Sequence, residues 1–518
     1  MTVLSAARPV VVVGAGIGGL AAAALLAHAG QEVIVLERGA EIGGKLRTLG
    51  IAGKRLDAGP TVFTMRPVFE ALFDSLGTTL DQHLQLRPLA TLARHAWADG
   101  AQLDLHADLE ASVDAIGAFA DATEARAYRH FCERAQRVFQ TLEHSFMRAQ
   151  QPTPWSLTTR VGARGLPGLM RIAPFTSLWT ALQREFRHPR LRQLFGRYAT
   201  YCGSSPFLAP ATLMLVAHAE RAGVWCIDGG MHRLACALAS IAAQHGARIR
   251  CNAPVTRLLV TDDRARGVQL ASGERIEAAA VVFNGDASAL ALGLLGREAT
   301  SAVPGGQPPQ RSLSALTWNL LARTGGFELA HHSVFFSDAY ADEFDDILAH
   351  GRLPRAPTVY VCAQDRGTGA QPEGRERLLC LVNAPATADA SGLTATEIET
   401  CEQTTFAHLA RCGLQINRSA RTTVRTTPED FHRLFPGTGG ALYGQANHGW
   451  LTSFSRPGSR SRIAGLYLAG GSVHPGPGLP MAALSGQLAA QALLGDRSSR
   501  TSILPSRTAA TLGGTSTR

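Results

Sequence analysis

Gly14-Ala-Gly16-Ile-Gly18-Gly19 stands between four valines, Val10 to Val13, and an Ala/Leu stretch running from Leu20 to Ala29. The next apolar run ends at Glu37, 23 residues after Gly14. These residue types at these spacings suit the binding of a dinucleotide. Gly14 permits a tight turn, Gly16 lets the backbone approach a pyrophosphate, and Gly19 allows a helix to pack closely on a strand; the unpaired N–H groups at the helix start face the phosphates. The Glu37 carboxylate can accept hydrogen bonds from both hydroxyls of a ribose and would repel a 2′-phosphate. The alternative is an ordinary buried strand–turn–helix unit, and Glu37 at the end of the second strand weighs against it.

The elements that must position these groups are a strand, a glycine turn and a helix, the opening of an α/β domain. At 518 residues the chain has room for about three units of ordinary size. Hydrophobic residues at 45% and charged ones at 18% describe a globular protein with a thin charge coat. The uncharged stretch Val10 to Ala27, preceded by Arg8, imitates a signal peptide. Its glycines and the strand-like Glu32 to Glu37 directly after it favour the dinucleotide unit, so neither a signal peptide nor a transmembrane helix is expected. Nine scattered cysteines without a Cys-x-x-Cys pair fit a reducing compartment, and no clustered Cys/His set predicts a metal.

Beyond Glu37, Ile42-Gly43-Gly44-Lys45 with Arg47 and Thr48, then Asp57-Ala-Gly59-Pro60-Thr61, resembles the N-terminal signature of glutathione-reductase-like FAD proteins of the amine oxidase and phytoene desaturase superfamily. The resemblance implies FAD as cofactor, with Gly44 and either Lys45 or Arg47 along its phosphates and ribityl chain. Arg248 to Asp286 resembles the return of such a chain to its FAD domain and would place the adenine near Val255. Gly465 to Ala469 reads as a strand, Gly470 and Gly471 open a loop, and Pro480 with Met481 begins an apolar helix. A helix N-terminus there would stabilise the negative charge that a reduced flavin carries towards its pyrimidine end. The implied fold is α/β: a Rossmann-like FAD-binding domain built from 1–80, 216–299 and 426–495, with an interleaved α+β substrate domain and helical cap from 81–215 and 300–425. The Ser/Thr/Arg-rich residues 496–518 read as a disordered tail.

Tyr201-Cys-Gly203, Gly229-Gly230-Met231, His331-His332 through Glu343-Phe344, and Leu479-Pro480-Met481 look like the bacterial carotenoid desaturase family. Within it the sequence is most similar to the 1-hydroxycarotenoid 3,4-desaturases. The likeness implies hydride transfer from an allylic carbon to flavin, loss of a neighbouring proton, a lipid-soluble carotenoid substrate, and oxygen or a quinone as electron acceptor. His218, Glu220, Asp228 and His474 are the candidate proton acceptors, none singled out by spacing. The alternatives are a several-step phytoene desaturase, a flavin amine oxidase, and a non-catalytic lipid-binding escort. Low aromatic content, 6%, speaks against an amine cage, and the intact glycine motifs speak against the escort.

The net charge of +9 is unevenly spread. Arg126 to Arg197 holds 13 Arg against three Glu, a balance of +10, which leaves the rest of the chain at 9 − 10 = −1. No nucleic-acid-binding module accompanies this stretch, so no nucleic-acid partner is expected. Phe175, Leu178, Trp179, Leu182 and Phe186, then Leu191, Leu194, Phe195 and Tyr198, recur at helical spacing among the arginines. Two readings are open: cap helices that bury these stripes in a core, or basic helices that dock on a membrane surface at the cytoplasmic side of the bacterial inner membrane.

Overall fold

The computed structural model describes residues 8–153, 155, 175–304, 310–367 and 372–501. Val10–Val13, Val33–Leu36 and Ala280–Phe283 are buried along their whole lengths, as a parallel sheet covered on both faces requires of its strands. They form the middle of a five-stranded parallel sheet in the order Leu466–Leu468, Ala280–Phe283, Val10–Val13, Val33–Leu36, Arg248–Arg250. Alternate side chains serve opposite layers. Val10, Val12, Val33 and Val35 join one core with helices Ile17–His28 and Arg233–Gln244 and the C-terminal helix Leu479–Thr501. Val11, Val13, Ile34 and Leu36 join another with the antiparallel strands Val255–Thr261 and Arg264–Leu270.

The second sheet has eight strands. Its main path runs Leu414–Asn417, Ser314–Gly326, Glu376–Ala384, Val359–Ala363, His332–Phe335, Thr91–Ala96, Gln102–His106, and Thr423–Thr426 also pairs with Ser314–Gly326. Trp318, Leu320, Leu378, Cys380 and Val382 share a core with Ile398, Cys401 and Leu409 of helix Ala395–Arg411. The period of two then sends Thr317, Leu379, Leu381 and Asn383 to the other face, where they line a cavity.

A helical cap closes the far side, and it decides between the two readings of the basic stretch. Leu178, Leu182, Phe186, Leu191 and Leu194 are each fully buried, Phe195 and Tyr198 nearly so, in one core with Phe131 and Val138 of the long helix Ala122–Leu142. From Leu178 onward the stripes are therefore core and not a membrane face, whereas Phe175, before the helix starts, is exposed. Part of the +10 balance is offset from outside its window, because Arg129 pairs with Glu110, Arg190 with Asp99 and Arg197 with Glu220. Arg160, Arg164 and Arg171 lie outside the described residues.

Helix Leu215–Arg221, which crosses the expected boundary at 216, packs on Ala122–Leu142. The C-terminal helix continues to Thr501, past the expected tail start at 496, and Asp496 on it pairs with Arg460; residues 502–518 lie outside the described residues.

Burial in this domain has a measurable pH signature. His95 has no exposed surface; its Nδ1 lies 3.0 Å from the Leu103 carbonyl oxygen and its ring stacks on Phe336. Burial, with the Arg197 charge nearby, holds its pKa down to about 3. The unfolded chain takes up that proton near the ordinary value of about 6.5. His95 therefore adds stability that is fully present above that value and lost as the pH falls from there towards 3. Chemical denaturation of His95→Gln should show a shallower loss of stability from neutral to mildly acidic pH than the parent. Parallel slopes would refute this.

Candidate active site

One cavity of about 750 Å³ runs from the nucleotide sheet to the second sheet. Gly14, Gly16, Gly43 and Gly44 line it, offering backbone without side chains. The close packing expected of Gly19 is visible in a distance: a Cβ there would lie 2.2 Å from the Gly14 carbonyl oxygen. Glu37 also lines the cavity, its carboxylate already accepting from the N–H groups of Ala15 and Gly39, each at 2.8 Å. Each oxygen keeps a second lone pair for a ribose hydroxyl. Val255 lines the same cavity with Pro254 and Thr256, and Gly470, Gly471, Pro480 and Met481 line it where the helix Leu479–Thr501 starts. The twelve expected cofactor residues, except Gly19 beneath the turn, thus share one wall.

Lys45 and Arg47 are also engaged within the protein. The Lys45 ammonium donates to the Leu442 carbonyl oxygen at 2.6 Å and lies over the Phe435 ring; burial pushes its pKa below the ordinary lysine value. Arg47 donates to Thr426 Oγ1 at 3.1 Å and lies over Phe431. Both therefore tie the flavin segment to residues 426–443, whose part in the wall (Phe431, Phe435, Leu442, Tyr443) had no motif to announce it. Arg456 was also missed. It is buried, donates to the carbonyl oxygens of Gln445 (2.5 Å) and Gly471 (3.5 Å), and burial lowers its pKa to about 10.

Asp57 and Gly229-Gly230-Met231, far apart in sequence, meet. The Asp57 carboxylate accepts from the Met231 N–H at 2.8 Å, and a Cβ on Gly230 would sit 2.7 Å from it. This junction sets the direction of the Ala58–Thr61 segment, which lines the cavity between the glycine turns and the second sheet.

None of the four candidate proton acceptors lines the cavity. Asp228 pairs with Arg87 at 2.6 Å near the surface. His218 rests on Phe139, and burial with Arg221 beside it lowers its pKa. His474 is buried edge-on to Phe146. Glu220 stands one layer behind the wall, accepting from the hydroxyls of Tyr201, at 2.6 Å, and Tyr198, with Arg197 at 3.7 Å. Burial opposes the Arg197 charge, but Tyr201 and Glu220 hold its pKa above the usual range.

The groups that do face the chamber are different. Glu343 is buried in its wall; one oxygen accepts from Asn383 Nδ2 at 2.8 Å and the other from the Thr358 N–H at 3.0 Å. Burial raises its pKa against those hydrogen bonds. The Tyr360 hydroxyl joins Thr61 Oγ1 and His332 Nδ1, each at 2.7 Å, and burial drives His332 well below the ordinary histidine value. His331, His332 and Cys362 come within 4.8 Å of one another behind this wall, a juxtaposition that spacing did not predict. Its Nδ1 atoms are engaged, by the Arg366 carbonyl oxygen for His331 and by Tyr360 for His332. Tyr201, Tyr340, Phe344, Tyr360 and Tyr443 all line the cavity, so a low chain-wide aromatic content does not describe the site.

The glycine cradle, the Glu37 carboxylate and the helix start on one wall fit FAD. Residues 17–494 match the family model of flavin containing amine oxidoreductases. The hydroxyneurosporene desaturase of Rubrivivax gelatinosus is 52% identical over 98% of this chain and 97% of its own length, and that of Cereibacter sphaeroides is 47% identical over 95% and 98%. Among solved structures, cyclohexylamine oxidase from Brevibacterium oxydans superposes with a TM-score of 0.58 at 16% identity, over 95% of this chain and all of that one. The chain belongs to the flavin containing amine oxidoreductase family and is an FAD-dependent oxidoreductase. Within that family it is one of the carotenoid desaturases.

Proposed function

We propose that the protein introduces the 3,4 double bond into an acyclic 1-hydroxycarotenoid, as a peripheral protein at the cytoplasmic face of the bacterial inner membrane, with oxygen or a quinone as final electron acceptor. The observation that carries this reading is the continuity of one cavity, from the Glu37 carboxylate past Gly470 and Gly471 to an apolar chamber walled by Leu215, Val216, Val334, Phe344, Leu379 and Leu381. Bound FAD supplies the hydride acceptor. The chain's own part is to hold the polyene flat, to exclude water, and to accept a proton that conjugation has made acidic; for such a proton a weak base suffices. The buried Tyr340 hydroxyl in the wall, which has no hydrogen-bond partner, weighs against a wholly apolar substrate, since a buried polar group without a partner is costly.

The test is to incubate FAD-loaded enzyme in liposomes with phytoene and, separately, with a 1-hydroxylated neurosporene, and to follow the absorption red shift. Conversion of the hydroxylated polyene is expected. Conversion of phytoene alone would overturn the substrate.

No helix among the described residues is long and apolar enough to cross a membrane. What supports peripheral docking is a patch at the exposed start of the first stripe: Phe175 is 69% exposed and Leu451 54%, with Trp450 against Phe175 and Leu208 bonded through its carbonyl to Gly449. Exposed apolar side chains grouped in this way commonly mark an interface. Phe175→Ser with Leu451→Ser should lower the fraction that pellets with anionic liposomes several-fold. Unchanged pelleting would exclude this patch.

A further inference from the structure

The chamber wall carries three polar groups placed together, and they differ from the other polar sets around the cavity. Tyr360 is satisfied by Thr61 and His332, and Tyr201 by Glu220. Tyr340, which begins the helix Tyr340–Leu348, is buried and lines the cavity, yet its hydroxyl has no hydrogen-bond partner. Glu343 follows three residues later, one turn along, so the two side chains lie on the same helix face. Asn383 holds Glu343 by its amide, and Thr358 holds it by its backbone N–H. Around them the wall is mostly apolar, with Val334, Phe344, Leu379 and Leu381; Thr317, paired with Leu381 in the sheet, adds a second hydroxyl without a partner.

A buried hydroxyl without a partner costs stability unless a ligand completes it. A polyene end made only of carbon and hydrogen cannot do so. A tertiary hydroxyl can, because it both accepts one hydrogen bond and donates another. We infer that Tyr340, Glu343 and Asn383 form the subsite that reads the substrate's hydroxyl end: the Tyr340 O–H donates to the hydroxyl oxygen, the hydroxyl donates to a Glu343 carboxyl oxygen, and Asn383 fixes that carboxyl group. This rests on the hydroxylated polyene proposed above and adds the residues that select it. It also accounts for position. Carbons 3 and 4 lie two and three bonds from the hydroxyl-bearing carbon 1, so anchoring the hydroxyl sets which carbon–carbon bond lies against the flavin. Polar recognition of this kind discriminates far more strongly than an apolar pocket, in which one added hydroxyl is scarcely resisted.

The experiment compares kcat/KM for a 1-hydroxylated neurosporene and for neurosporene itself, in the FAD-loaded parent enzyme, Tyr340→Phe and Glu343→Gln, with product double-bond positions read by chromatography and mass spectrometry. Flavin absorbance reports that each variant is folded and loaded. The parent should prefer the hydroxylated substrate, and either substitution should reduce that preference about 10- to 100-fold. The products of the variants should also include bonds formed elsewhere on the chain. If the parent prefers the hydroxylated substrate and both variants keep the full preference, the subsite is refuted while the substrate reading stands. If the parent shows no preference, both fall together. A variant that loses activity equally on the two substrates also counts against the subsite.

Discussion

Gly19→Ala is expected to yield a chain that accumulates without flavin. The added Cβ would lie 2.2 Å from the Gly14 carbonyl oxygen and 3.1 Å from Asn284 Cβ. The nearer of these is backbone in the turn that lines the cavity, so relief requires the helix Ile17–His28 to lift away from that turn. The helix N-terminus and the glycine backbone would then lose their common aim at the phosphates. Overpacking of this kind costs about 1–3 kcal/mol, and displacement of the phosphate cradle should bring the loss in FAD affinity to about 100-fold or more. Gly50→Ala is the control, because a Cβ there meets nothing within 4 Å. Flavin absorbance after gel filtration should vanish from the first variant and persist in the second. Equal loading of the two would remove the argument from close packing.

Glu220→Ala is expected to be strongly destabilising, although Glu220 stands one layer behind the chamber wall. Arg197 is buried, and Glu220 is the carboxyl group that pairs with it; Tyr198 and Tyr201 donate to the same carboxyl. Removing one member of a buried pair leaves an uncompensated charge in the interior, which costs about 3–5 kcal/mol. The two tyrosine hydroxyls would be stranded as well. Glu220→Gln keeps an acceptor for the tyrosines and should lose less. Replacing Glu220 by leucine together with Arg197 by methionine should recover part of the deficit, since it removes the unpaired charge itself. Denaturant titration checks all three, and a Glu220→Ala variant within about 1 kcal/mol of the parent would show that the cluster does not hold the wall.

The same pair shows why the chemistry of the site could not be assigned from spacing. Glu220 and His218 are neighbours in sequence, but on the helix Leu215–Arg221 one side chain turns towards Arg197 and the tyrosines and the other towards Phe139. Glu343 sat in a segment noted only for its likeness to a family, and burial beside Asn383 and Thr358 is what makes it a chamber group. The basic stretch is a parallel case. Its apolar period was legible, but what that period faces was not, because the partners are Phe131 and Val138, some 50 residues earlier in the chain.

What the sequence alone determined is the nucleotide end. Gly14, Gly16, Gly19 and Glu37 act through backbone shape and one carboxylate within a single strand–turn–helix–strand unit, so their roles follow from local spacing. The later pieces at Val255, Gly470 and Met481 were placed through resemblance to a family, and each lies at a strand end or a helix start. Only the tertiary structure decided the substrate end. There the wall is assembled from the helix Tyr340–Leu348 and from strands that pair across tens of residues, and a polar side chain gains its character from burial and partners supplied by other segments. Burial by distant segments leaves no periodic mark at the residue it acts on, and that is why Tyr340, Glu343 and Asn383 became visible only in the fold.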